Sequence, residues 1–154
     1  MKPPQARNAI KKCLKALIDT KPKKQDKDKI WVYFKNRCAY CGDTLTKESR
    51  KGHIDHLYSE MEGGSNRLSN LVLTCATCNG DEKREANWSE FLAEKCGADS
   101  KEYRERSKQI ANWVEINGGQ PMLTKNEMNI LSSEFEIINQ VLSACIEKLR
   151  NLKM

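Results

Sequence analysis

The chain has 154 residues, 38% of them hydrophobic and 31% charged, with a formal net charge of +6. That length suits one modest core, and the composition excludes both a disordered polyampholyte and a chain built around membrane spans, which need about 20 consecutive apolar residues. The N-terminal MKPPQARNAIKKC has charge but no apolar stretch of the kind a secretory signal carries, so an intracellular location, cytoplasmic or nucleoid-associated, is expected.

The charge is unevenly placed. Residues 1–37 carry 12 Lys and Arg against 3 Asp and Glu, whereas the remaining residues carry 15 against 18. A basic arm ahead of a near-neutral body fits contact with a polyanion such as nucleic acid, or a solubilising tail. Residues 5–18 read as a short helix, with Ile10, Leu14, Leu17 and Ile18 on one face. The stretch Lys21 to Lys29 has no apolar residue and a proline near its start, so it reads as a solvated linker. Ile30 to Phe34 follows as a short apolar helix behind Asp28, a candidate N-cap.

His53 to Tyr58 and Leu71 to Thr74 read as two short strands, joined through Gly63–Gly64 and the polar run SNRLSN. Asn79 to Ala86 reads as a helix, completing a ββα order. Lys101 to Ile116 places Tyr103, Ile110 and Trp113 at helical spacings and stops at Asn117–Gly118–Gly119. Packing in a core is the better reading of Tyr103 and Trp113 than stacking on bases. Thr124 to Leu152 opens with the capping-box pair Thr124 and Glu127. Its apolar residues Met128, Leu131, Phe135, Ile138, Leu142, Cys145, Leu149 and Leu152 form a heptad seam. Ile130, Ile137, Val141 and Ile146 widen that seam, which favours packing within the chain over a narrow two-stranded coil. A homodimer or a protein partner docked through residues 124–152 is the alternative.

Seven cysteines argue against a closed disulfide framework, because the number is odd. Four of them form two C-x-x-C pairs, Cys38 with Cys41 and Cys75 with Cys78. Each pair can present two sulfurs from one tight turn, and four thiolates complete a tetrahedral zinc ion with no open position. Such a site is structural. Two redox motifs are the weaker reading, since neither pair sits in a βαβ pattern. Cys13, Cys96 and Cys145 read as core or incidental thiols.

Both histidines of the chain fall in one run, His53-Ile54-Asp55-His56, between the two cysteine pairs. With the following G-G-S-N-R-L-S-N-L-V-L-T-C-A-T-C-N, this run resembles the HNH (ββα-metal) endonucleases, in their zinc-bearing four-cysteine branch, over about Arg37 to Arg84. The resemblance implies an α+β fold: a ββα-metal core with a structural zinc site of four cysteines, flanked by N- and C-terminal helices. It divides the chain into a basic helix and linker (1–37), the core (38–86) and a helical extension (87–154) that packs on the core or mediates assembly. It implies that His56 is the general base, that Asp55 ligates a catalytic Mg²⁺ or Mn²⁺, that Asn79 is the second ligand and that Asn70 braces the loop between the strands. His53 has a less defined place, and Lys83 and Arg84 are candidate phosphate contacts. Where many members carry proline and lysine this chain has Ser59 and Glu82.

The chemistry asks for the same residue types. Phosphodiester hydrolysis needs a base near neutral pH, which an imidazole with its ordinary pKa of about 6.5 supplies. It also needs one hard cation on a carboxylate and an amide oxygen. The expected function is DNA hydrolysis by a one-metal mechanism, with DNA favoured over RNA by resemblance alone. The alternatives are a non-catalytic zinc-knuckle nucleic-acid-binding module, or a nuclease subunit active only within a larger defence or mobile-element complex.

Overall fold

The computed structural model describes residues 2–49 and 51–152. Two compact units emerge: one made of residues 21–123, the other of residues 1–20 together with 124–154. These divisions fall at other places than the segments expected from sequence, because residues 21–37 and 87–123 pack in one unit with the segment between them.

In the larger unit, helix α2 (Lys24–Tyr33) comes first. The expected linker is therefore mostly helical. Asp26 accepts a hydrogen bond from the backbone N–H of Lys23 at 3.1 Å, so a charged stretch acquires a start signal, and burial of Ile30 and Trp31 anchors its far end. Strands β1 (Gly52–His56) and β2 (Leu71–Cys75) pair antiparallel, with Gly52 opposite Cys75 and His56 opposite Leu71. All of β2 is buried, which explains its continuous apolar run.

After β2 the chain does not enter an α-helix as expected. Residues Thr77–Lys83 form a π-helix, and Arg84 ends it in the left-handed region at φ 48°. Helix α3 (Trp88–Cys96), which the periodicity did not reveal, is capped by Asn87, whose side chain accepts from the Ser89 N–H at 2.9 Å. Helix α4 (Lys101–Ile116) matches its expected bounds. Trp113 is buried, and its indole N–H points at the carbonyls of Leu68 and Leu71, at 2.8 and 2.7 Å. Its ring also packs on Tyr33 and Phe34, so α2, α4 and the start of β2 share one core.

The smaller unit pairs α1 (Pro3–Ile18) with α5 (Lys125–Asn151). Arg7 donates to Asn139 Oδ1 at 2.7 Å and to Ser143 Oγ at 3.1 Å, and Lys11 sits over the Phe135 ring. Leu131, Phe135, Ile138 and Leu142 are half-buried, whereas the widening residues Ile130, Ile137 and Val141 stay exposed. No helix among the described residues is long and apolar enough to cross a membrane.

Candidate metal centre and active site

The sulfurs of Cys38, Cys41, Cys75 and Cys78 all lie within 4.8 Å of one another, and those of Cys41 and Cys75 are 3.7 Å apart. A tetrahedral ion with metal–sulfur bonds of about 2.3 Å requires sulfur–sulfur edges of about 3.8 Å. The donor set therefore fits zinc in both chemistry and spacing. Two local features build it. The first knuckle turns at Gly42, whose N–H bonds the Cys38 carbonyl at 2.9 Å, and Ala39 N–H bonds the Leu73 carbonyl of β2 at 2.8 Å. The second knuckle places the Cys78 N–H 3.4 Å from the Cys75 sulfur.

Four crowded thiols cannot all ionise unaided. The hydrogen bond from Cys78 holds the Cys38 thiol down at about 5, while the same bond and burial raise Cys78. Burial pushes Cys41 up to about 12. A divalent cation removes this conflict by taking all four as thiolates. On the outer side, Glu82 lies 3.7 Å from the Cys78 sulfur and holds Lys95 through both carboxylate oxygens, at 2.8 and 2.6 Å.

The Asp55–His56 pair sits at the other end of the hairpin, lining a cleft of about 360 Å³ with Ser59, Glu60, Lys83 and Arg84. The loop that follows is rigidly tied. Asn70 is fully buried; its Oδ1 accepts from the Tyr58 N–H at 2.9 Å. Its Nδ2 donates to the carbonyls of Tyr58 and Ser65 at 3.0 and 2.8 Å. Gly64 packs so closely that a Cβ there would overlap the Tyr58 carbonyl oxygen. Residues 120–123 clamp the loop from outside: Ser69 Oγ donates to the Gln120 carbonyl, Ser65 to that of Pro121, and the Leu123 N–H to that of Gly63.

His56 Nε2 lies 3.2 Å from Asn66 Oδ1. An amide oxygen can only accept, so with this partner Nε2 carries the proton and Nδ1 the lone pair. Asn66 went unnoticed in the sequence because a polar loop offers many amides and no periodicity.

Lys83 is the other residue whose part was not legible. Its side chain is 1% exposed, its ammonium donates to the His56 carbonyl at 2.8 Å, and it lies 3.4 Å from Asp55 Oδ2. The latter contact is an ion pair without hydrogen-bond geometry, so this buried oxygen has no hydrogen-bond partner. Burial raises the Asp55 pKa above the ordinary 3.8, and the Lys83 charge is the largest influence opposing it. A carboxylate that lines the cleft and keeps an acceptor oxygen without a hydrogen-bond donor fits a hard cation, although Lys83 already faces that oxygen. Asn79 is half-buried on the π-helix and is not among the residues lining the cleft, while His53 is exposed on β1. The wider π turn accounts for the change: Lys83, expected four α-helical residues from Asn79 on a shared face, turns inward instead. Arg84 remains exposed at the cleft.

No curated protein matches the chain. A family model does, that of the HNH endonucleases, over residues 38–85, a stretch that takes in both knuckles, the β1–β2 hairpin and the π-helix. Over this third of the chain the segment is similar to the HNH endonucleases, and its four clustered cysteines are consistent with their zinc-bearing branch.

Proposed function

We propose that the chain hydrolyses DNA phosphodiester bonds by a one-metal mechanism, with zinc held by Cys38, Cys41, Cys75 and Cys78 in a structural role. The observation that carries this reading is the convergence of Asp55 and His56 on one cleft beside a loop fastened by the buried Asn70. His56 accepts the proton of the attacking water at Nδ1, because Nε2 keeps its proton and donates it in a hydrogen bond to Asn66 Oδ1. Asn70 keeps the loop, and with it Asn66, in register with the end of β1. Asp55 would hold Mg²⁺ or Mn²⁺ at the cleft, which would supply charge relief to the phosphate and the leaving oxygen; Asn79, the second ligand that the resemblance implies, does not line that cleft. Arg84 is exposed at the cleft and suits a phosphate contact, whereas the ammonium of Lys83 acts inside the protein, on Asp55 and the His56 carbonyl.

The test is cleavage of supercoiled plasmid by the purified protein with Mg²⁺ or Mn²⁺, beside His56→Ala. Metal-dependent cleavage that disappears in a folded, zinc-containing variant is the expected outcome. Equal cleavage by both proteins would remove His56 from the mechanism.

A second reading rests on one observation. Lys83 already neutralises Asp55, as a cation would in a non-catalytic binding module. Titration calorimetry with Mn²⁺ separates the two: the nuclease takes up Mn²⁺ and Asp55→Asn loses it, while the binding module takes up none beyond the zinc site. The exposed Ile130, Ile137 and Val141 on α5 would serve a dimer or a partner protein in either case.

A further inference from the structure

The 21–123 unit has a second concavity besides the Asp55–His56 cleft. It is a cavity of about 570 Å³ between the end of α2, the first knuckle and one face of α4. Its walls carry four cations, Lys35, Arg37, Arg106 and Lys108, against one acid, Glu105. Their engagements differ. Arg106 is held by the Tyr40 carbonyl at 2.6 Å and the Cys96 sulfur at 3.1 Å, so it is part of the wall. Glu105 is turned to Lys101, at 3.7 Å. Lys35 and Lys108 are exposed and have no carboxylate partner among the described residues, and Arg37 reaches only the Gly42 carbonyl at 3.4 Å. Three unneutralised cations thus converge on one concave surface, where low-dielectric walls concentrate their field.

The backbone supplies an independent observation. Lys35 and Asn36 adopt φ of 52° and 56°, a left-handed conformation that asparagine tolerates and lysine does not favour. Glycine would serve this turn without strain. The turn is fixed by the Asn36 N–H to the Trp31 carbonyl and by the Leu45 N–H to the Asn36 carbonyl. A lysine at a conformationally costly position on the rim of a cationic cavity fits a ligand-contacting residue.

We propose that this cavity is a second nucleic-acid contact, in which Lys35, Arg37 and Lys108 bind the phosphodiester backbone of DNA outside the cleft where cleavage occurs. An extended polyanion suits it better than a small anion, because the three cations lie on two separate elements around an open cavity. Contacts of this kind add affinity without reading sequence. The inference rests on the nuclease reading for its choice of polyanion.

The experiment measures binding of a 20-base-pair duplex by fluorescence anisotropy across a salt series, with His56→Ala as the non-cutting full-length host. Each phosphate contact contributes about 0.9 to the slope of log affinity against log salt. Adding Lys35→Gln, Arg37→Gln and Lys108→Gln should flatten the slope by about 2.7, which at 0.1 M salt corresponds to at most about a 500-fold loss. Lys35→Gly separates function from folding: it relieves the left-handed strain, so its Tm should hold or rise while the slope falls by about 0.9. Lys125→Gln, Lys148→Gln and Arg150→Gln on α5 remove the same charge elsewhere. An equal loss there, an unchanged slope in the cavity variant, or a host that binds no duplex would each overturn the proposal. So would millimolar inorganic phosphate displacing the duplex from the host but not from the cavity variant, since the cavity would then be a small-anion site. With the same three substitutions made in the protein that keeps His56, cleavage insensitive to them at every salt concentration would sink the cavity and leave the nuclease standing. Cavity-dependent binding without cleavage under any metal would do the reverse.

Discussion

Replacing Lys83 with methionine keeps most of the buried stem and removes only the ammonium. Two things are lost: the hydrogen bond to the His56 carbonyl and the partner of an Asp55 side chain that is 13% exposed. Breaking a buried pair by removing one member costs about 3–5 kcal/mol, because the remaining charge has no compensation. Asp55 has one escape, which is to take up a proton. Its folded-state pKa already lies above 3.8, so its contribution to stability is fully present below 3.8 and is lost as pH rises through the folded value. Without Lys83 that folded value rises further, and the loss extends to higher pH. The deficit of the variant should therefore be near its full size at pH 8 and shrink markedly by pH 5. Trp31, Trp88 and Trp113 all lie in residues 21–123, so tryptophan fluorescence during urea unfolding, in magnesium-free buffer, reads the stability of this unit alone. A deficit under about 1 kcal/mol at pH 8, or one that grows toward acid, would refute the reasoning.

Other perturbations have distinct signatures. Cys75→Ser should abolish stoichiometric zinc binding and leave residues 21–123 without cooperative unfolding, since metal binding at such sites contributes on the order of 10 kcal/mol; metal content and calorimetry check this. Asn70→Ala strands the Tyr58 N–H and two carbonyls, and should destabilise the 21–123 unit by at least about 1–3 kcal/mol in urea unfolding. Thr124→Ala removes the side chain that caps α5 at 3.1 Å, and should cost the α1–α5 unit about 1 kcal/mol, visible as faster amide exchange in α5 with α4 unchanged.

What could be read in the sequence was whatever depends on spacing along the chain. The C-x-x-C pairs foreshadowed the sulfur cluster, and periodicity gave α4 its bounds because Ile110 and Trp113 fall on one face. The reading failed where tertiary contacts override local pattern. Lys24 to Lys29 has no apolar residue, so its helicity comes from capping by Asp26 and from the burial of Ile30 and Trp31 downstream. The π-helix has no signature in composition, yet it decides that Lys83 turns inward and that Asn79 does not line the cleft. Helix α3 did carry signals, Asn87 as cap and Phe91–Leu92 as a buried pair, but its run is too short for periodicity to stand out.

The pairing of α1 with α5 also has a consequence for biosynthesis. Helix α1 emerges from the ribosome about 100 residues before α5, the helix it packs on, so it must wait without that partner until α5 has been translated. The intervening segment has its own core and cysteine cluster, and can be folded by then. The α1–α5 pair itself contains none of the four clustered cysteines, so its assembly depends on the late arrival of α5 rather than on that cluster.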